Sequence, residues 1–247
     1  MTITHDNSLL TVLGDPARDA CWSCGDQLAS HFCTHCGKVQ PPKPVDYFTF
    51  FGLPQRLQID PAKLERAFYE LSRKLHPDVY AQATPQEREW SLEQSSRLND
   101  AYRTLKDPIM RTEYALGLAG IELEEQSKSA TEAARASGGM KKQIVPPDLL
   151  EEVFELNMQL EELRMNKKMG EDDPALIEEV KQKQSDLESK QDALSVELQQ
   201  IWEDWDQAQE ATSEAAIGCA NAKMLDLLNR RNYIRNLVRD VNELLEA

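Results

Sequence analysis

Two close pairs of cysteines stand near the start of the chain: Cys21-Trp22-Ser23-Cys24-Gly25 and, after eight residues between Cys24 and Cys33, Cys33-Thr34-His35-Cys36-Gly37. Two thiolates at this spacing reach one ion from a single tight turn, and the glycine after each pair permits the left-handed backbone that closes it. Four such thiolates complete a tetrahedral set. One structural zinc ion is therefore the expected occupant, with a rubredoxin-like iron centre or a redox dithiol as the alternatives. His31 and His35 are surplus to that set. The segment has few apolar residues, so ligation must supply most of its folding free energy, on the order of 10 kcal/mol. The fifth cysteine, Cys219, is expected to be a small buried hydrophobe.

A second constellation is His76-Pro77-Asp78, where the proline forbids continuation of a helix. The helix expected before it starts at Asp60-Pro61, an N-cap followed by proline at the first helical position. It carries Leu64, Phe68, Leu71 and Leu75 on one side and Lys63, Arg66, Arg73 and Lys74 on the other. That is a basic face on a chain whose formal charge is −15, a charge that disfavours nucleic acid as a general partner. After the tripeptide, Thr84-Pro85-Gln86-Glu87 is a capping box opening a second long helix with Leu92, Leu98, Ala101, Tyr102 and Leu105, so the two helices are expected to form an antiparallel hairpin.

The remaining elements follow from composition. Pro41-Pro42-Lys43-Pro44 is expected to separate the cysteine head from the hairpin, and EEQSKSATEAARASGGMKKQ, without an apolar period, reads as a solvated linker. Beyond it, apolar positions from Leu149 to Leu163 mark one helix, which ends near Gly170. Val180, Leu187, Leu194 and Ile201, recurring every seven residues with Trp202 and Trp205 at the far end, mark a second. Met224 to Leu244 mark a third, and together the three make an antiparallel bundle. The expected fold is all-α, with a disordered leader 1–18, the head 19–40, the hairpin domain 45–120, a flexible linker 121–146 and the bundle 147–247. No bilayer-spanning run or secretory signal is evident, so a soluble chain is expected. An acid-rich leader favours the cytoplasm; the mitochondrial matrix is the alternative if the source is eukaryotic.

A short helix, a basic helix, an HPD loop and an antiparallel helix together resemble the J-domain family. The run DYFTFFGLP from Asp46, the L-N-x-A-Y-x-T-L run Leu98–Leu105 and Pro108-Ile-Met-Arg111-Thr-Glu-Tyr114 narrow the resemblance to HscB-type proteins, with CWSCG as in eukaryotic members. Pro108, Arg111 and Tyr114 read as packing and capping residues.

The resemblance implies a co-chaperone, not an enzyme. His76, Pro77 and Asp78 would engage a DnaK/HscA-type heat shock protein 70 chaperone and stimulate its ATPase, with Lys63, Arg66, Arg73 and Lys74 docking on an acidic patch. The bundle would bind an IscU-type iron-sulfur scaffold through Leu149, Leu150, Phe154, Glu155 and Glu162, with Tyr233 from the last helix. Glu151, where a hydrophobic residue is usual, and Met158 depart from the pattern. A monomer or weak dimer is expected, with no membrane partner. The alternatives are a general J-domain co-chaperone for folding, for which a Gly/Phe-rich stretch and a peptide-binding sheet domain are lacking, and a CxxC redox protein.

Overall fold

The computed structural model describes residues 20–26, 31–123, 146–170 and 173–246. The leader 1–18 and most of the expected linker, residues 124–145, lie outside them. The fold is all-α, as expected, and the described residues include no strand longer than an isolated bridge between Phe32 and Val39. No described helix is long and apolar enough to cross a membrane.

Among the described residues, those up to Gln55 and Asp60–Lys106 form one compact unit, and Arg56–Ile59 with Asp107 onward form the other. The first contains the cysteine head, α1 (Tyr47–Phe50), α2 (Pro61–Leu75), a 3-10 turn (Pro77–Tyr80) and α3 (Pro85–Lys106). Asp46 caps α1 by accepting from the Thr49 amide, and Asp60 caps α2 by accepting from the amides of Ala62 and Lys63. The expected capping box opens α3: Thr84 Oγ1 donates to Glu87 at 2.8 Å and accepts from the Glu87 amide at 3.3 Å. Leu64 and Leu75 of α2 are fully buried in the same unit as Leu98, Ala101 and Leu105 of α3. Phe68 stacks on Tyr102 with ring centroids 4.1 Å apart. Leu92, counted in the α3 pattern, is exposed.

The second unit holds α4 (Pro108–Leu118), a 3-10 turn (Pro147–Leu149), α5 (Leu150–Met169), α6 (Pro174–Glu210) and α7 (Glu214–Glu246). The heptad positions Val180, Leu187, Leu194 and Ile201 are all buried on α6, beside Leu156, Leu160 and Leu163 of α5 and Met224, Leu228 and Val241 of α7. Each fully buried Leu contributes roughly 2 kcal/mol relative to an exposed one. Gly170, at φ 72°, takes the left-handed position that ends α5.

The units divide the chain differently from the composition boundaries. Residues 108–118 pack with the bundle because Trp202 on α6 donates to Thr112 Oγ1 at 2.9 Å and carries the Arg111 guanidinium 4.8 Å above its ring. The buried Asp206 carboxylate accepts from the amides of Leu57 and Gln58 at 2.7 and 3.0 Å, which binds residues 56–59 to α6. Cys219 is exposed rather than buried, because the inward side of α7 there is taken by Ala220, Asn221 and Met224.

Candidate metal centre and docking surfaces

The two cysteine turns face each other with Cys21 Sγ 3.6 Å from Cys36 Sγ and Cys24 Sγ 3.6 Å from Cys33 Sγ, and all four sulfurs lie within 4.8 Å of one another. Tetrahedral ligation at Zn–S of about 2.3 Å needs sulfurs about 3.8 Å apart, so the set fits one such ion. Gly25 and Gly37, at φ 75° and 72°, close the turns in the left-handed region anticipated for them.

The electrostatics favour a cation. Burial opposes ionisation of Cys21, yet the amides of Cys24 and Ser23 and the Cys36 thiol overcome it and hold the group down to about 6. At Cys24 the Asp26 amide assists ionisation, but burial and the neighbouring sulfurs push the thiol up to about 12. Cys36, assisted by the Lys38 amide, is raised for the same reasons. A thiolate is accommodated at Cys21, and Cys24 and Cys36 resist charging beside it; a divalent ion removes that repulsion. His31 lies outside the set, with Nε2 at 2.8 Å from the Phe50 carbonyl oxygen.

His76, Pro77 and Asp78 form the turn that leaves α2. The Asp78 amide donates to His76 Nδ1 at 3.3 Å and the Val79 amide to the His76 carbonyl at 2.9 Å. This fixes the loop backbone while the Asp78 side chain remains 90% exposed. Lys63, Arg66, Arg73 and Lys74 are all exposed on α2. Arg73 and Lys74 occupy its last turn, where the helix dipole favours positive charge.

The third feature is the outward side of α5. Leu150 is 53% exposed and Phe154 66%, whereas Leu149 is 4% exposed and Tyr233 8%. Leu149 turns inward because it ends the 3-10 turn, and Tyr233 is covered within the bundle. Of the residues suggested for partner binding, Leu150, Phe154, Glu155 and Glu162 thus stand on the surface and the other two lie beneath it. Glu155 is paired with Lys183 at 3.0 Å. Met158, Met165 and Met169 are also exposed, and Phe154, Met158, Glu161, Glu162, Met165 and Met169 line one shallow groove. The continuation through Met165 and Met169 is absent from the sequence reading. Its signal was the spacing of these residues from Phe154, out of phase with Val153, Leu156, Leu160 and Leu163.

Residues 46–115 match the family described as DnaJ domain. The iron-sulfur cluster co-chaperone protein HscB homolog of Arabidopsis thaliana is 34% identical over 143 residues, covering 58% of this chain and 51% of that protein. The co-chaperone protein HscB homolog of Bordetella petrii is 44% identical over 89 residues, 36% of this chain and 52% of that one. The chain therefore spans about half the length of the curated relatives it matches. The crystal structure of human co-chaperone protein HscB is similar with TM-score 0.58 and 25% identity, covering 90% of this chain and 96% of that one. An exposed HPD turn between paired helices and a four-cysteine centre thus stand in a chain that carries a DnaJ domain over residues 46–115 and is similar to HscB co-chaperones.

Proposed function

We propose that the chain is an adaptor in iron-sulfur cluster biogenesis, binding an IscU-type scaffold and delivering it to a DnaK/HscA-type heat shock protein 70 chaperone. The HPD turn with the basic face of α2 meets the chaperone, and hydrolysis takes place on that partner. The outward face of α5, from Leu150 through Phe154 to Glu162, meets the scaffold, with Leu149 and Tyr233 supporting it from beneath. The head holds one structural Zn²⁺ on Cys21, Cys24, Cys33 and Cys36. The location is the cytoplasm.

The observation that carries this reading is the exposed, backbone-fixed HPD turn in a chain that separately leaves a row of large apolar side chains uncovered on α5. Uncovered apolar rows of this kind mark interaction sites, and a basic patch on an acidic chain suits electrostatic steering towards an acidic partner. Single-turnover ATP hydrolysis by the chaperone, with and without the scaffold, tests it. Stimulation by this chain that increases when scaffold is added, and is lost in Asp78→Asn, is the expected result. Stimulation indifferent to scaffold contradicts the iron-sulfur assignment, and no stimulation contradicts the adaptor as a whole.

A further inference from the structure

We propose that the cysteine head is a metal-dependent brace on α3, so that ion occupancy at Cys21, Cys24, Cys33 and Cys36 sets the stability of the helix that holds the HPD turn. The inference rests on the reading of the four cysteines as a metal site.

Helix α3 carries three buried polar side chains, Glu87, Ser91 and Gln94, at positions where an ordinary amphipathic helix places apolar ones. Ser91 is accounted for by α2, because its Oγ donates to the Leu75 carbonyl at 2.7 Å. The other two are met by the head. Lys38, two residues after Cys36, donates to Glu87 at 2.7 Å, and Glu87 is only 2% exposed. Gln94, 1% exposed, donates to the Gln40 carbonyl at 2.7 Å.

Gln40 reaches back to the metal turn. Its Nε2 donates to the Lys38 carbonyl at 2.8 Å and lies 3.4 Å from Cys21 Sγ, while its Oε1 accepts from the Trp22 amide at 3.4 Å. Trp22, next to Cys21, donates its indole N–H to the Val39 carbonyl at 2.7 Å and meets the edge of Trp90 on α3 at 5.6 Å. Lys38, Gln40 and Trp22, which touch α3, are thus each within four positions of a cysteine in the set.

The head cannot hold these residues without an ion. Its own fully buried side chains among the described residues are Cys21, Cys33, Val39 and Gln40, too few to fold a segment of this size. Stripping the ion therefore releases Lys38, Gln40 and Trp22 together, leaving Gln94 without its carbonyl acceptor and Glu87 without its ammonium donor. The effect continues to the turn, because Ser91 and Ser95 of the same helix each donate to the carbonyl of Leu75, the residue before His76, at 2.7 Å.

Hydrogen exchange on the full-length chain, read by peptide, tests this by comparing protein loaded with Zn²⁺ alone with the same protein stripped by a tight chelator under reducing conditions. We expect the amides of residues 88–98 to exchange at least about tenfold faster after stripping, those of residues 180–198 on α6 to stay unchanged, and added Zn²⁺ to restore protection. Lys38→Met removes one contact and no ligand, so it should retain the ion and loosen only the first turns of α3, by about threefold. Uptake of one ion with α3 exchange indifferent to it overturns the brace and leaves the metal site standing. Failure to take up any ion overturns both.

Discussion

The tip of the hairpin and the outer face of α5 are both exposed, but they are made of opposite materials. At the tip, His76 and Asp78, with Arg73 and Lys74 in the last turn of α2, present charge and hydrogen-bonding groups on a backbone held by its own amides. Along α5, Leu150, Phe154, Met158, Met165 and Met169 present apolar surface that shields no core. A polar surface is content in water and acts through direction and charge, whereas an apolar one is costly to leave uncovered and acts through desolvation. The two surfaces should therefore respond to different perturbations.

The largest expected effect is at the tip: Asp78→Asn should lower chaperone ATPase stimulation at least about tenfold in the single-turnover assay while leaving helix content by circular dichroism unchanged, since the Asp78 side chain is 90% exposed. On α5, Phe154→Glu should weaken scaffold binding by about 2 kcal/mol, roughly 30-fold by calorimetry, with little change in Tm. Leu156→Ala, two positions away on the buried side, should instead cost about 2–5 kcal/mol of stability by urea unfolding. Salt sharpens the contrast. Raising ionic strength from about 0.05 to 0.5 M should weaken the chaperone encounter severalfold and leave scaffold affinity nearly unchanged.

The smallest effect concerns Glu87, whose carboxyl is held down to about 2 by the Lys38 ammonium, with Thr84 assisting, against an ordinary 4.5. A depressed carboxyl contributes in full above its unfolded value and loses that contribution as pH falls through the folded one. Thermal unfolding should therefore show Glu87→Gln less stable than the parent by about 1 kcal/mol at neutral pH, a modest figure because Lys38 is half exposed. The gap should close as pH falls from 4.5 towards 2. Protonation of the cysteine ligands, by releasing the ion and Lys38 with it, should close the gap in the same direction.

These surfaces were not equally legible in the sequence. The HPD turn is flanked by a proline stop and a capping box, both local signals, and α2 runs between the residues expected from its cap and its stop. The cysteine set is a matter of spacing and glycine placement, which the left-handed Gly25 and Gly37 realise. On α5, apolar residues occupy both sides of the helix, so periodicity merged Leu150 and Phe154 with the core stripe of Val153, Leu160 and Leu163. Only packing separates the two rows. The burial of Glu87 and Gln94 was equally hidden, because their partners Lys38 and Gln40 lie 49 and 54 residues away.

The claim that one chain carries two separable docking surfaces is tested most directly by crossing the variants: scaffold binding and scaffold-free ATPase stimulation measured on the parent, Asp78→Asn, Phe154→Glu and the double variant. Asp78→Asn is expected to bind scaffold like the parent but to lose at least about tenfold in stimulation, Phe154→Glu to stimulate like the parent but to bind scaffold roughly 30-fold more weakly, and the double variant to show both losses. Loss of both activities in either single variant, with the fold intact, would contradict it.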